Sequence, residues 1–105
     1  VPIIEVSSIE VAEMCKVTEN AYRFVEIAFA EELHTICDNL GLPFEELRKA
    51  INTKWNINIL EARDGIGGHC LPKDVRYLWT IIKSPLLQGA ITADETYKKL
   101  NGELK

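Results

Sequence analysis

The feature that most constrains this fold is a helical repeat of apolar residues that continues from about residue 8 to residue 40. It begins at Ser7-Ser8-Ile9-Glu10, which has the S-x-x-E form of a capping box, and ends before Gly41, the predicted left-handed cap. A helix of roughly 30 residues is about 45 Å long at ~1.5 Å per residue, more than a compact domain of this size needs. It predicts either a packing partner beyond the domain or a bent helix wrapped on its own core. The repeat consists of Met14, Val17, Ala21, Phe24, Ala28, Leu33, Ile36 and Leu40.

Three shorter helices are predicted after this one, and no run alternates as a strand does. The second is "PFEELRKAIN", which opens on Pro43, and the third begins just after Pro72. Ser84 and Pro85 form an N-cap and a first helical position for a fourth helix that runs to about Asn101. The predicted fold is all-α, one long helix packed with about three shorter helices, with an irregular segment from about Trp55 to Leu71. The residues expected to face inward are Tyr77, Leu78, Ile81 and Ile82 on the third helix and Leu87, Ala90, Ile91 and Tyr97 on the fourth.

Composition excludes several classes of function. The 105 residues carry a net charge of −4 without a cluster of Lys or Arg, which argues against a nucleic-acid partner. No apolar run approaches the ~20 residues that span a bilayer, so no membrane partner is expected. The cysteines are odd in number, and Cys15 and Cys37 would lie about 33 Å apart on one helix at ~1.5 Å per residue. We therefore expect reduced thiols, core or boundary positions for Cys15 and Cys37, and a cytoplasmic protein.

The segment "GIGGHCLPKD", Gly65 to Asp74, forms a glycine-rich loop that carries a cysteine. It lacks the preceding strand and the G-x-G-x-x-G spacing of a dinucleotide site, and the Gly-Lys-Ser/Thr of a P-loop. The histidines and cysteines do not have the spacing of metal ligands, so no metal site is predicted. Cys70 lies at a predicted helix start, where backbone N–H groups and the helix dipole favour a thiolate. From the residues alone, Cys70 is equally well a nucleophile or a buried structural thiol.

A second group of polar residues lies on the long helix. Lys16, Asn20 and Arg23 are spaced four and three residues apart and share one stripe beside the apolar face. An ammonium and an amide one turn apart can hold a developing oxyanion, whereas the alternative is an ordinary solvated helix face.

The helix "AEMCKVTENAYRFVEIAFAEEL" followed by "GIGGHCLPKD" resembles the central domain of the UDP-glucose/GDP-mannose dehydrogenase family, the nucleotide-sugar 6-dehydrogenases. The resemblance covers about residues 8 to 100. It implies an enzyme that oxidises the C6 alcohol of a UDP-sugar, a UDP-N-acetylhexosamine or UDP-glucose, to a carboxylate with two NAD⁺.

The resemblance also implies a role for each residue of the two motifs. Cys70 matches the nucleophile that forms a thiohemiacetal with the aldehyde intermediate and then a thioester. Lys16 and Asn20 match the pair that stabilises the oxyanion, and Asp74 matches the acid that activates or holds the hydrolytic water. The same resemblance assigns substrate contact to three further residues, Gly67, Gly68 and Arg23.

Residues 1–105 are accordingly expected to be a single central domain of a longer enzyme, without its NAD-binding and UDP-binding domains. We expect this piece alone to bind no NAD and to be inactive, and to form a homodimer through the long helix. The chain departs from the family where members often read "NEL" and this chain has Glu31-Glu32-Leu33. The alternative is a non-catalytic helical dimerisation or interaction module. A redox sensor based on Cys70 lacks a resolving cysteine nearby in the sequence.

Overall fold

The protein is described by a computed structural model that covers residues 7–62 and 70–101, the side chain of residue 70 excepted. This part of the chain contains four helices and no strand: α1 (Ile9–Leu40), α2 (Phe44–Ile51), α3 (Cys70–Ile82) and α4 (Pro85–Asn101). The predicted all-α fold, with one long helix and three shorter ones, is confirmed. The glycine-rich loop lies outside the described residues.

The two ends of α1 are fixed by local backbone chemistry. The Oγ of Ser8 accepts a hydrogen bond from the backbone N–H of Val11 at 3.2 Å, so the N-cap is Ser8 and not Ser7 as the S-x-x-E pattern predicted. At the other end Gly41 has φ 71°, and its N–H bonds to the carbonyl of Asp38. Few residues other than glycine adopt this left-handed conformation without strain, which is why the helix ends here.

The main core lies where the middle of α1 meets α3 and α4. Its fully buried members are Ala21, Phe24 and Ala28 of α1, Val75 of α3, and Ala90 and Ile91 of α4. A smaller core joins α1 to α2 and the following loop through Ala30, Cys37 and Phe44. The ends of the predicted apolar face of α1 are not covered, since Met14 is 40% exposed and Leu40 67% exposed.

Helix α3 differs from the prediction in its start and in its buried face. It begins at Cys70 rather than after Pro72, because a proline in the first turn has no N–H that the helix would need. Val75 is buried and its neighbours one turn away, Leu71, Leu78 and Trp79, pack on the core, whereas Tyr77, Ile81 and Ile82 are exposed. The prediction chose the apolar stripe next to the one that the fold buries.

Helices α2 and α4 begin at or next to their predicted first residues. Pro43 caps α2 instead of opening it, one residue from the expected place. Ser84 and Pro85 begin α4 as predicted, with the Oγ of Ser84 accepting a hydrogen bond from the N–H of Leu87 at 3.3 Å.

Cys37 is buried as expected, but Cys15 is exposed and is therefore not a core residue. None of the helices in the described part has both the length and the apolar character needed to cross a membrane.

Candidate functional site

Two residues predicted from separate motifs are in direct contact. The Nδ2 of Asn20, on α1, donates a hydrogen bond of 2.9 Å to the Oδ2 of Asp74, in the first half of α3, although 54 positions separate them in the chain. Both side chains are partly buried. The contact exists because α1 and α3 pack along the main core, with Phe24 and Val75 buried between them. The structure thus brings the polar stripe of α1 to the start of α3.

The two cations of the stripe lie on either side of Asn20. Lys16 is exposed one turn before it. Arg23 is also exposed and lies 4.0 Å from a carboxylate oxygen of Glu19 on the same helix, a geometry that contributes little energy at a surface. Among the three residues of the stripe, Asn20 is therefore the one that the structure shows hydrogen-bonded to a residue of the second motif.

Cys70 is the first residue of α3, one helical turn before Asp74. The first turn of a helix offers unpaired backbone N–H groups and the positive end of the dipole, both of which favour a thiolate at that place in the chain. The side chain of Cys70, together with Gly67 and Gly68, lies outside the described residues. The role of these three residues therefore stays a prediction.

The segment that leads into the glycine-rich loop is held by side chains of α2 and its C-cap. The amide of Asn52 bonds both backbone groups of Ile59, accepting from its N–H at 2.7 Å and donating to its carbonyl at 3.0 Å. Arg48 donates to the same carbonyl at 3.0 Å and also pairs with Glu45 and Glu61. Its hydrogen bond lowers the pKa of Glu45. These contacts fix the chain up to Ala62, next to the loop.

A pair of buried carboxyl groups was not found from the sequence. Glu31 of α1 is fully buried and Asp94 of α4 is 5% exposed. Burial, followed by the negative charge of Asp94, raises the pKa of Glu31 to about 8. A signal was present, because Glu31 follows Ala28 by three positions and Asp94 follows Ile91 by three, which puts both acids on apolar stripes.

An open groove of about 760 Å³ runs between α1 and α4. Its walls are mainly apolar, with Phe29 and Ile36 from one helix and Leu86 and Ala93 from the other. Phe29 and Leu86 are both more than half exposed.

The described residues contain neither a cluster of metal-ligating side chains nor a strand. Within residues 7–62 and 70–101, no three His, Cys, Asp or Glu side chains are grouped to hold a metal ion. The same ranges contain no strand, and a dinucleotide fingerprint requires one before its glycine turn.

Known proteins match this chain over most of its length. A family model described as "UDP-glucose/GDP-mannose dehydrogenase family, central domain" matches residues 10–99. A solved structure of UDP-D-ManNAc dehydrogenase from Pyrococcus horikoshii superposes with a TM-score of 0.73 at 35% sequence identity, covering 83% of this chain and 21% of that one.

Curated relatives are more similar in sequence but much longer. NDP-N-acetyl-D-galactosaminuronic acid dehydrogenase of Ralstonia nicotianae is 49% identical over 69 residues, which is 66% of this chain and 16% of that protein. UDP-N-acetyl-D-mannosamine dehydrogenase of Yersinia pestis is 48% identical, and that of Escherichia coli K12 is 46% identical, over the same shares. The chain thus matches about a sixth of the length of these relatives.

Proposed function

This chain belongs to the UDP-glucose/GDP-mannose dehydrogenase family, and we propose that it is the thiol-bearing central domain of a nucleotide-sugar 6-dehydrogenase. The observation that carries the proposal is the hydrogen bond between Asn20 and Asp74, because it joins the two motifs at the first turn of the helix that begins at Cys70. The proposed substrate is a UDP-sugar. The names of the relatives favour a UDP-N-acetylhexosamine over UDP-glucose.

The proposed reaction converts the C6 alcohol of the sugar to a carboxylate in two oxidations. Each oxidation would transfer a hydride from C6 to NAD⁺, held by a part of the enzyme outside this chain, and would release the hydroxyl proton to solvent. The residues of this chain act between and after the two oxidations. The isolated chain is accordingly proposed to be inactive.

Cys70 is proposed to act as the nucleophile. Its thiolate attacks C6 of the aldehyde, a C–S bond forms, and the carbonyl electron pair moves to the oxygen, which gives a thiohemiacetal after protonation. The second oxidation converts this adduct to a thioester. Water then adds to the thioester, the C–S bond breaks, and sulfur leaves as the thiolate.

The polar residues hold charge and water in these steps. Lys16 and Asn20 are proposed to donate hydrogen bonds to the oxygen on C6 each time it becomes negative, which is most effective when the donors are fixed in advance. The bond of Asn20 to Asp74 fixes its amide. Asp74 is proposed to orient the water and accept its proton. Contacts of Arg23, Gly67 and Gly68 with the sugar nucleotide complete the proposal.

A second candidate function is a helical dimerisation or interaction module without catalysis. The open apolar groove between α1 and α4 favours it, since it offers a surface for a second copy whatever the chemistry at α3. The two functions are compatible in one enzyme. The catalytic function requires Cys70 as the nucleophile, whereas the dimerisation or interaction module does not.

The test is turnover of the full-length enzyme with UDP-N-acetylmannosamine and NAD⁺. Cys70→Ala is expected to abolish uronate formation, and Lys16→Ala to slow it by about 10²–10³, the usual effect of losing one oxyanion donor. Lys49→Ala, which removes an exposed cation on α2, is the matched control and should turn over as the wild type does. If Cys70→Ala turned over at the wild-type rate, the catalytic proposal would be refuted and the dimerisation or interaction module would remain as the function of this domain.

A further inference from the structure

Glu31 and Asp94 form a buried carboxyl pair that the proposed reaction does not use. Glu31 has no exposed surface, and neither its Oε1 nor its Oε2 has a hydrogen-bond donor among the described residues. Asp94, 5% exposed, comes from α4. Glu31 precedes His34 by three positions and Asp94 precedes Tyr97 by three, and the rings of His34 and Tyr97 are in edge contact with centroids 6.0 Å apart, which places the two acids across from each other. Burying a carboxylate that has no hydrogen-bond donor is costly, so the fold favours a protonated Glu31.

In the part of the chain that the structure describes, Lys98 places a positive charge beside one acid of the pair. Lys98 Nζ lies 3.2 Å from the Oδ2 of Asp94, one turn along α4. The charge of Lys98 also lowers the pKa of Glu31, but by less than burial and Asp94 raise it.

Among the residues that the structure describes, the arginines that form ion pairs on α2 and α3 are paired with other acids. On α2, Arg48 pairs with Glu45, and on α3, Arg76 pairs with Glu95 at 3.6 Å. On α1 itself, the Nδ1 of His34 lies 3.3 Å from the Oδ2 of Asp38, without the geometry of a hydrogen bond.

We propose that Glu31 and Asp94 hold one proton between them at neutral pH, and that this shared proton fastens α1 to α4. Two carboxylates this deeply buried do not both ionise, and a hydrogen bond between them requires that one be protonated. The ion pair of Lys98 is with Asp94, so we assign the proton to Glu31, which donates it. The proton therefore acts as a hydrogen bond between the long helix and the last one.

The shared proton makes stability depend on pH in a defined direction. Folding raises the pKa of Glu31 from its ordinary 4.5 to about 8. Between these values the folded chain keeps the proton that the unfolded chain has lost, so stability is greatest below the lower value and falls as pH rises. Above the higher value both states have lost the proton and this contribution stops changing.

The experiment is urea unfolding of the 105-residue chain at a series of pH values from 5 to 9, for the wild type, Glu31→Gln and Glu32→Gln. The wild type should bind about one more proton when folded than when unfolded near the middle of this range, and Glu31→Gln close to none. Glu32→Gln, an exposed acid next in the chain, is the matched control and should follow the wild type.

Infrared spectroscopy of the wild type gives a second measurement that does not depend on the folding of a variant. A protonated-carboxyl band should be present at neutral pH and should be lost in Glu31→Gln. A wild-type spectrum without this band would overturn the proposal. So would a Glu31→Gln chain with the pH dependence of the wild type.

Discussion

Asn20 lies on α1 between Lys16 and Arg23, and its side chain forms a hydrogen bond with Asp74 of α3. Its 2.9 Å hydrogen bond with Asp74 is partly buried, so water competes with it less than with the exposed ion pair of Arg23 and Glu19. The contact has two consequences. It fixes the amide for its proposed donor role, and it ties the first turn of α3 to α1.

We predict a measurable coupling between these two side chains. In a double-mutant cycle of Asn20→Ala and Asp74→Ala, urea unfolding should give an interaction energy of about 1 kcal/mol, the net contribution of such a hydrogen bond. The matched control is the exposed 3.0 Å bond between Gln88 and Thr92 on α4, whose cycle should give a value close to zero. Equal couplings in the two cycles would mean that the Asn20 contact does not hold α3.

The sequence indicated which individual residues belong to the candidate site, but it did not predict which of them are in contact. Asn20 and Asp74 were named from two motifs, yet no spacing rule states that residues 54 positions apart will meet. Glu31 was noted only for its departure from the family pattern. Its burial depends on how α4 packs, which a single helical period does not reveal.

Among the helices, α1 was the most predictable because its signals are local. A capping serine, a continuous three- and four-residue repeat and a terminal glycine require no tertiary information, and each end fell within a residue of its expected place. Helix α3 was predicted less well, since it has two adjacent apolar stripes and only packing decides between them. Val75 is buried and Tyr77, two positions later, is not.

The two described glycines predict opposite effects for the same substitution. Gly41→Ala should lower the free energy of unfolding by about 1 kcal/mol, because its φ of 71° is strained for any residue with a Cβ. Gly89→Ala should raise it by about 0.5–1 kcal/mol, because Gly89 lies within α4 and a Cβ there meets nothing within 4 Å. Urea unfolding of dilute chains measures both. A loss at Gly89 as large as the loss at Gly41 would contradict the helical environment described for it.

The molecule as a whole is elongated by its long helix. Its radius of gyration is 15.6 Å and its extents are 49 × 34 × 23 Å, whereas a compact domain of about 100 residues has a radius near 13 Å. The first turns of α1 extend beyond the core that α3 and α4 provide. The far end leaves Ile36 and Leu40 exposed beside the groove.

We predict that the groove is the surface through which two copies associate. A two-fold arrangement would place Phe29 and Ile36 of one chain against the same residues of the other, the commonest way to cover such a face. Sedimentation at tens of micromolar should therefore give a dimer for the wild type and a monomer for Phe29→Asp.

The matched control is Trp55→Glu, which alters an aromatic residue that is 95% exposed on the loop after α2 and is not part of the groove. This variant should remain a dimer. A monomeric wild type, or a dimer that Phe29→Asp leaves intact, would exclude the groove as the interface.

The central claim is that Cys70 becomes covalently bonded to the substrate, and peptide mapping of the full-length enzyme tests it most directly. The enzyme would be quenched in acid during turnover of UDP-N-acetylmannosamine with NAD⁺ and digested with trypsin, which releases Cys70 in the peptide of residues 64–73, separate from Cys15 and Cys37. We predict a sugar-nucleotide adduct on this peptide that is absent without NAD⁺. Sustained turnover with no adduct there, or with an adduct on the peptide of Cys15 or Cys37, would contradict the account.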